Sequence, residues 1–225
     1  MTKKSIFIFC VALLLLFCST ASASYIYSFS TDAGTTEINP LSGTWSAEEY
    51  YNYDRPSANP LHGYAQDDSA YFWLYEETDT NALSLGVLYG ATGSSGNGGD
   101  ADFILGGLPT GWSWILQDDD ADINGSQDTT PTWHWVRHYT DGGVIAGLED
   151  AEWNITWLLT DLVNHSNWYF LTDENGTINA LDFSLAEGDT LTVSATNNPV
   201  PEPTTIMLLG LGILSFSRLA RKKQT

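Results

Sequence analysis

From Asp118 to Asp128 the chain packs five acids into eleven residues, Asp-Asp-Asp-Ala-Asp-Ile-Asn-Gly-Ser-Gln-Asp. Asp120, Asp122, Asn124 and Asp128 fall at positions 1, 3, 5 and 9 of a calcium-binding loop, with Gly125 at the turning position 6. Ser126 would add its backbone carbonyl at position 7. Oxygen ligands so spaced suit a hard dication.

The spacing resembles the calcium loops of EF-hand and dockerin type. It departs from them at position 12, where Pro131 stands in place of a bidentate glutamate, and no helical pattern precedes it. Asp118, Asp119 or a distant carboxylate would have to complete the shell. The alternative is a solvated acidic turn. Calcium is therefore the one cofactor this sequence suggests.

Two tryptophan pairs come next, Trp112 with Trp114 and Trp133 with Trp135. Spaced at i and i+2, each pair shares one face of a strand. Rings exposed on a sheet face would offer a platform for sugar rings. The same rings turned inward would fill a core.

The histidines are His62, His134, His138 and His165. His134 and His138 would align on a helix, but on a strand they stand too far apart to chelate one ion easily. No Glu-x-x-His, no Gly-x-Ser-x-Gly and no phosphate loop is present. Glu76 and Glu77 are adjacent, so on a strand they point to opposite faces and make a poor glycosidase pair. No catalytic residues are assigned.

The elements that must position these residues read as β-structure. Short apolar runs alternate with turn residues: Tyr25–Phe29, Ala70–Tyr75, Leu83–Tyr89, Phe103–Leu105, Trp112–Leu116, Thr132–Val136, Asn167–Leu171, Thr177–Leu185 and Thr190–Thr196. Ala70–Tyr75 is aromatic on both faces, so both are buried or one binds something. Asp173-Glu-Asn-Gly176 reads as a hairpin turn, and Glu48–Gln66 as a loop. In Asp150–Asn164, Ile155, Leu158, Leu159, Leu162 and Val163 fit helical spacing, while Trp153–Trp157 alone fits a strand; a short helix is favoured. About nine or ten strands with one short helix predict a mainly β fold, an antiparallel, jelly-roll-like β-sandwich.

Charge narrows the partners. Residues 24–203 hold all 28 acids and only Arg55 and Arg137, a net charge of −26 with no lysine. Such a domain repels nucleic acid and anionic membrane surfaces. All nine tryptophans lie in it, far too many large apolar rings for a disordered acidic tail.

Both ends are signals. Residues 1–23 give a basic start (Lys3, Lys4), an apolar run and Ala21-Ser22-Ala23, the pattern of a secretory signal peptide cut by signal peptidase after Ala23. Both cysteines, Cys10 and Cys18, lie inside it. The exported chain, residues 24–196 in its domain, therefore has no disulfide. Residues 197–203 form a linker ending in Val200-Pro201-Glu202-Pro203. Residues 204–225 carry an apolar run from Ile206 to Phe216, then Arg218, Arg221, Lys222 and Lys223. This reads as a transmembrane segment with a cytoplasmic basic end.

That three-part tail resembles the PEP-CTERM sorting signal of Gram-negative bacteria. The resemblance implies recognition by an exosortase, a membrane cysteine protease, near Pro201-Glu202-Pro203. It also implies export associated with exopolysaccharide. The expected protein is then a membrane-anchored precursor that becomes a non-enzymatic cell-surface or extracellular-matrix protein. The alternative is a secreted carbohydrate-binding module or carbohydrate-active enzyme on the same β-sandwich.

Overall fold

The computed structural model describes residues 24–51, 68–90, 98–119, 122–136, 139–149, 151–165 and 167–198. The chain divides into two compact units, Ile26–Thr196 and a second made of Met1–Tyr25 with Asn197–Thr225. The signal peptide, the Pro-Glu-Pro motif and the apolar tail lie outside the described residues.

The described strands are β1 (Ser24–Thr31), β2 (Gly34–Ile38), β3 (Leu41–Gly43), β4 (Ser69–Glu77), β5 (Ala82–Tyr89), β6 (Gly99–Gly106), β7 (Ser113–Gln117), β8 (Thr132–Trp135), β9 (Asp141–Ala146), β10 (Trp153–Val163), β11 (Asn167–Glu174), β12 (Thr177–Phe183) and β13 (Thr190–Asn198). The helix α1 spans Ala47–Tyr51. One sheet runs β2-β1-β13-β10-β6-β8 and the other β12-β11-β4-β5-β9-β7, with β3 also on β4.

The first sheet alternates buried and open residues. Trp153, Ile155, Trp157 and Leu159 of β10, with Phe103 of β6 and Trp133 and Trp135 of β8, face inward. They meet the second sheet ring to ring. Phe72 on β4 packs edge-on to Trp157 at 5.4 Å, Trp114 on β7 to Trp133 at 5.6 Å, and Phe29 on β1 stacks on Phe170 of β11 at 5.0 Å. Two layers joined through such rings bury large apolar area without any disulfide.

The second sheet is buried on both faces at its centre. β4 alternates Phe72 and Leu74 toward the first sheet with Tyr71, Trp73 and Tyr75 on the far side, all at most 2% exposed. Tyr51 of α1 stacks on Trp73 at 6.1 Å and Tyr50 on Tyr75 at 4.4 Å. The two-sided burial expected from the Ala70–Tyr75 pattern is thus present.

Three expectations are corrected. The second sheet is mixed rather than antiparallel throughout, because β3 and β11 both run parallel to β4. Asp150–Asn164 contains no helix among its described residues. Its apolar residues at period two go inward along β10, and a bulge between Leu159 and Asp161 shifts the phase, which imitates helical spacing. The helix lies instead in the stretch read as loop. There Ser46 and Glu49 form a reciprocal capping box, Glu49 N–H to Ser46 Oγ at 3.1 Å and Ser46 N–H to Glu49 Oε2 at 3.0 Å.

The expected hairpin turn is Asn175-Gly176, with φ of +57° and +82°, the sign pair a two-residue type I′ turn requires. Gly86 is needed for a different reason. A Cβ there would lie 2.2 Å from Cζ2 of Trp73, its cross-strand partner. Gly86→Ala should therefore destabilise the domain by about 1–3 kcal/mol, through overpacking of a ring that Tyr51 holds from above. Thermal or urea unfolding checks this, and an unchanged midpoint would show that Trp73 moves freely.

Candidate functional site

The acidic segment forms the loop between β7 and β8, residues 118–131. Those two strands are the outer strands of opposite sheets, so the loop crosses the seam between layers. Outer strands leave backbone amides pointing outward, and these need partners. The loop supplies them. Trp114 N–H of β7 donates to Ser126 O at 2.8 Å, and Thr132 N–H of β8 donates to Asp122 O at 3.0 Å. Trp114 Nε1–H donates to Asp128 O at 2.9 Å, and Gln127 Nε2–H to Trp112 O at 3.1 Å.

Three carboxyls gather beneath this loop. Asp118, Asp122 and Asp141 are 9%, 6% and 2% exposed. Asp141, the first residue of β9, reaches across the seam. Its Oδ2 accepts the outward His134 N–H of β8 at 2.5 Å, and its Oδ1 accepts Gly142 N–H at 2.7 Å. Asp122 Oδ2 accepts Asp119 N–H at 3.0 Å. Asp118 Oδ2 accepts the Tyr51 hydroxyl at 3.4 Å, which ties α1 to the cluster.

Burial dominates their titration. It pushes Asp141 up to about 8, with the charge of Asp122 adding and the two amides opposing. It pushes Asp118 up to about 7, helped by Asp119 and opposed by the Tyr51 hydroxyl. Asp122 is raised for the same first reason. Nearby, His134 Nδ1 pairs with Asp100 of β6 on the outer surface.

The five residues of the calcium pattern do not converge. Asp120 lies outside the described residues, and the Asn124 and Ser126 side chains face solvent. Asp122 is turned inward. Asp128 is engaged by its own loop, with Asn124 N–H on Oδ2 at 2.7 Å, and Thr130 N–H and Oγ1–H on Oδ1 at 2.9 and 2.8 Å. Burial alone would raise Asp128, but these donors together hold it below the usual carboxylate range. Gly125 does turn the chain where expected, at φ +97°. Among the described residues no three His, Cys, Asp or Glu side chains are grouped to hold a metal ion.

The four candidate glycan tryptophans sit in the interior. Trp112, Trp114, Trp133 and Trp135 are 8%, 6%, 0% and 2% exposed, so their rings present no face to a sugar and serve the core instead. The exposed tryptophan is Trp45, at 56%, which its sequence context did not single out. A groove of about 280 Å³ runs beside the loop, lined by Trp114, Ile115, Leu116, Gln117, Gly125 and Ser126. Among the described residues its lining holds no carboxyl or imidazole for acid–base work.

His165 is the other perturbed group. It packs on Trp168 at 3.9 Å and edge-on to Trp135 at 6.1 Å, and burial pushes it down to about 4, opposed by the Asn167 backbone. The folded state therefore binds its proton less tightly than the unfolded chain. Its contribution to stability is full above the ordinary histidine value near 6.5 and is lost as pH falls toward 4, by up to about 3 kcal/mol. The buried aspartates act with opposite sign, so the measurement is the stability difference between His165→Gln and the parent across that window. A pH-independent difference would contradict the burial of a neutral imidazole.

No curated protein and no solved structure matches the chain. The residues expected to carry the address, Val200 to Pro203 with Arg218, Arg221, Lys222 and Lys223, lie outside the described part, as do Ala21 and Ala23. Among the described residues no helix is long and apolar enough to cross a membrane. A family model does match the tail: residues 199–223 are a PEP-CTERM protein-sorting motif.

Proposed function

We propose that this chain is an exported, exosortase-sorted protein of the cell surface or extracellular matrix, associated with exopolysaccharide and acting without catalysis. The sorting motif at residues 199–223 carries the reading, since it implies export and exosortase processing. The basic end after the apolar run orients the tail with the acidic domain outside. A domain of charge −26 without lysine stays soluble and apart from anionic surfaces. The aromatic rings are spent on joining two sheets, in a sandwich whose finer topology we read as jelly-roll-like. Contact with polysaccharide would then fall to the exposed surface, where Trp45 offers a ring. A carbohydrate-active enzyme is the less favoured reading, because Glu76 and Glu77, the acids considered for it, are neighbours along β4 and point to opposite faces.

Replacing Pro201-Glu202-Pro203 with alanines should leave full-length protein in the membrane, and deletion from Thr204 onward should release it in soluble form. Immunoblots of membrane and medium fractions check both. Normal processing of the alanine variant would reduce the tail to a plain anchor.

Calcium in the 120–128 loop is the second reading, favoured by the uncompensated charge and the left-handed turn at Gly125. At calcium a hundredfold above its dissociation constant, binding would add roughly 2.7 kcal/mol. Melting in calcium, compared with magnesium and sodium at matched ionic strength, should show a calcium-specific rise. Asn124→Ala, which removes only an exposed side chain, should abolish it. Equal responses to all three salts leave the loop an acidic turn.

A further inference from the structure

Four asparagines of the acidic domain head the pattern Asn-x-Ser/Thr with no proline between: Asn124, Asn154, Asn164 and Asn175. That pattern is the acceptor of N-linked oligosaccharide in exported chains. Three of the four also have an acid two residues earlier, Asp122, Glu152 and Asp173, whereas Asn164 has Leu162 there. Acid-x-Asn-x-Ser/Thr is the longer form that bacterial oligosaccharyltransferases take. Its carboxylate gives a cationic group of the enzyme something to hold.

The fold sorts these sites. Asn154 lies inside β10, paired with Ser194 of β13, and two residues on the strand is paired with β6 as well. A ladder bonded on both sides cannot bend its asparagine out toward an enzyme. At Asn124 the side chain is open, but Asp122 is turned inward at 6% exposed, so the acid is withheld. Asn164 is exposed at φ +51° and lacks the acid altogether.

Asn175 withholds nothing. It is the first residue of the type I′ turn between β11 and β12, and Glu174 pairs with Thr177 at the base of that turn. Glu174, Asn175, Gly176 and Thr177 are all exposed. Asp173 holds the turn by accepting Gly176 N–H on Oδ1 at 2.6 Å, and a carboxylate has a second oxygen to offer. A Cβ built on Gly176 would meet nothing within 4 Å, so there is room for a bulky group beside the asparagine.

We propose that Asn175 is the N-glycosylation site of this domain, taking an oligosaccharide from a lipid-linked pyrophosphate donor outside the cytoplasm. Asn175 Nδ2 attacks the anomeric carbon of the donor's first sugar. The nitrogen–carbon bond forms as the bond from that carbon to the pyrophosphate oxygen breaks. The pyrophosphate leaves with the bonding pair, Nδ2 gives up one proton to solvent, and nothing is oxidised or reduced. An amide nitrogen is a weak nucleophile, because its lone pair is shared with the carbonyl, so the transferase must hold it closely. Asp173 and Thr177 flank it and provide the two handles, a carboxylate for a cation and a hydroxyl for a hydrogen bond. The proposal rests on the export read above and deepens it, since the domain would carry carbohydrate covalently.

The test is mass spectrometry of the full chain recovered from its own cells. Chymotrypsin replaces trypsin, because residues 24–203 offer only Arg55 and Arg137. The peptide holding Asn175 should carry a sugar adduct and the peptide holding Asn164 none. Thr177→Ala should lose the adduct and Thr177→Ser should keep it. Asp173→Asn retains an acceptor for Gly176 N–H but not the charge, and should lower the occupancy. Protein freed of residues 1–23 but bare at Asn175 overturns the proposal and leaves export standing. Protein that keeps residues 1–23 in the cytoplasm overturns the export reading and this proposal with it. A mass change at Asn175 equal to deamidation alone also overturns it. So does equal occupancy at Asn164 or Asn154, which would show a modification blind to the acid or to the fold.

Discussion

Ring-to-ring contact between two sheets is the interaction on which this domain depends. Residues 24–198 contain no cysteine, so no disulfide holds the layers together. Phe72, Phe103, Trp114, Trp133, Trp157 and Trp168 instead interlock edge to face across the interior. Each such ring buries a large apolar area, and truncating one to alanine in a core of this kind costs about 3–5 kcal/mol. The demand for close approach then dictates smaller residues opposite. Gly143 of β9 lies under Trp133 and Trp114, where a Cβ would come within 2.9 Å of the Trp133 ring.

A sandwich so built has open sides, and its chemistry is concentrated at one of them. Where β7 and β8 end the two sheets, backbone amides need acceptors, and a loop rich in aspartate provides both carbonyls and carboxylates. The same acids are costly to bury, because no lysine and no described arginine stands near to neutralise them. Burial raises the Asp118 and Asp141 carboxyls, while backbone amides oppose that rise at Asp122 and Asp128. The Asp-rich segment is thus an edge cover first, and its polarity toward any external ion is set by how many of its oxygens the fold has already engaged.

Much of the fold was legible in the sequence. Period-two runs such as Trp133-His134-Trp135 and the Asn175-Gly176 turn fixed strands and a hairpin by local chemistry alone. β10 was not legible, because one bulge shifts the phase of its apolar residues. β9 was not either, since Gly142-Gly143 imitates a turn and its need for glycine comes from distant neighbours, Val87 and Tyr51 at Gly142 and Leu116, Trp133 and Trp114 at Gly143. The capping pair Ser46 and Glu49 was present as a local signal and marks α1. The parallel placement of β3 and β11 beside β4 is a property of topology, which no local pattern encodes. At the site, Asp122 could be named from the loop spacing, but its inward turn could not. Asp141 lies far along the chain, and only the pairing of β9 with β5 and β7 brings it there. The tail, by contrast, is read by other proteins as a linear signal, so its meaning lies in sequence order.

The central claim is that the rings serve the joint between sheets and leave the surface nearly free of tryptophan. Acrylamide quenching of tryptophan fluorescence tests it most directly, since this neutral quencher reaches only open rings and is indifferent to the domain's charge. Eight of the nine tryptophans are at most 8% exposed while Trp45 is 56% exposed. The account predicts one strongly quenched component, which disappears in Trp45→Phe, over a background that resists the quencher. Strong quenching of several rings in the folded protein, persisting after Trp45→Phe, would contradict it and return the tryptophans to an open, ligand-facing surface.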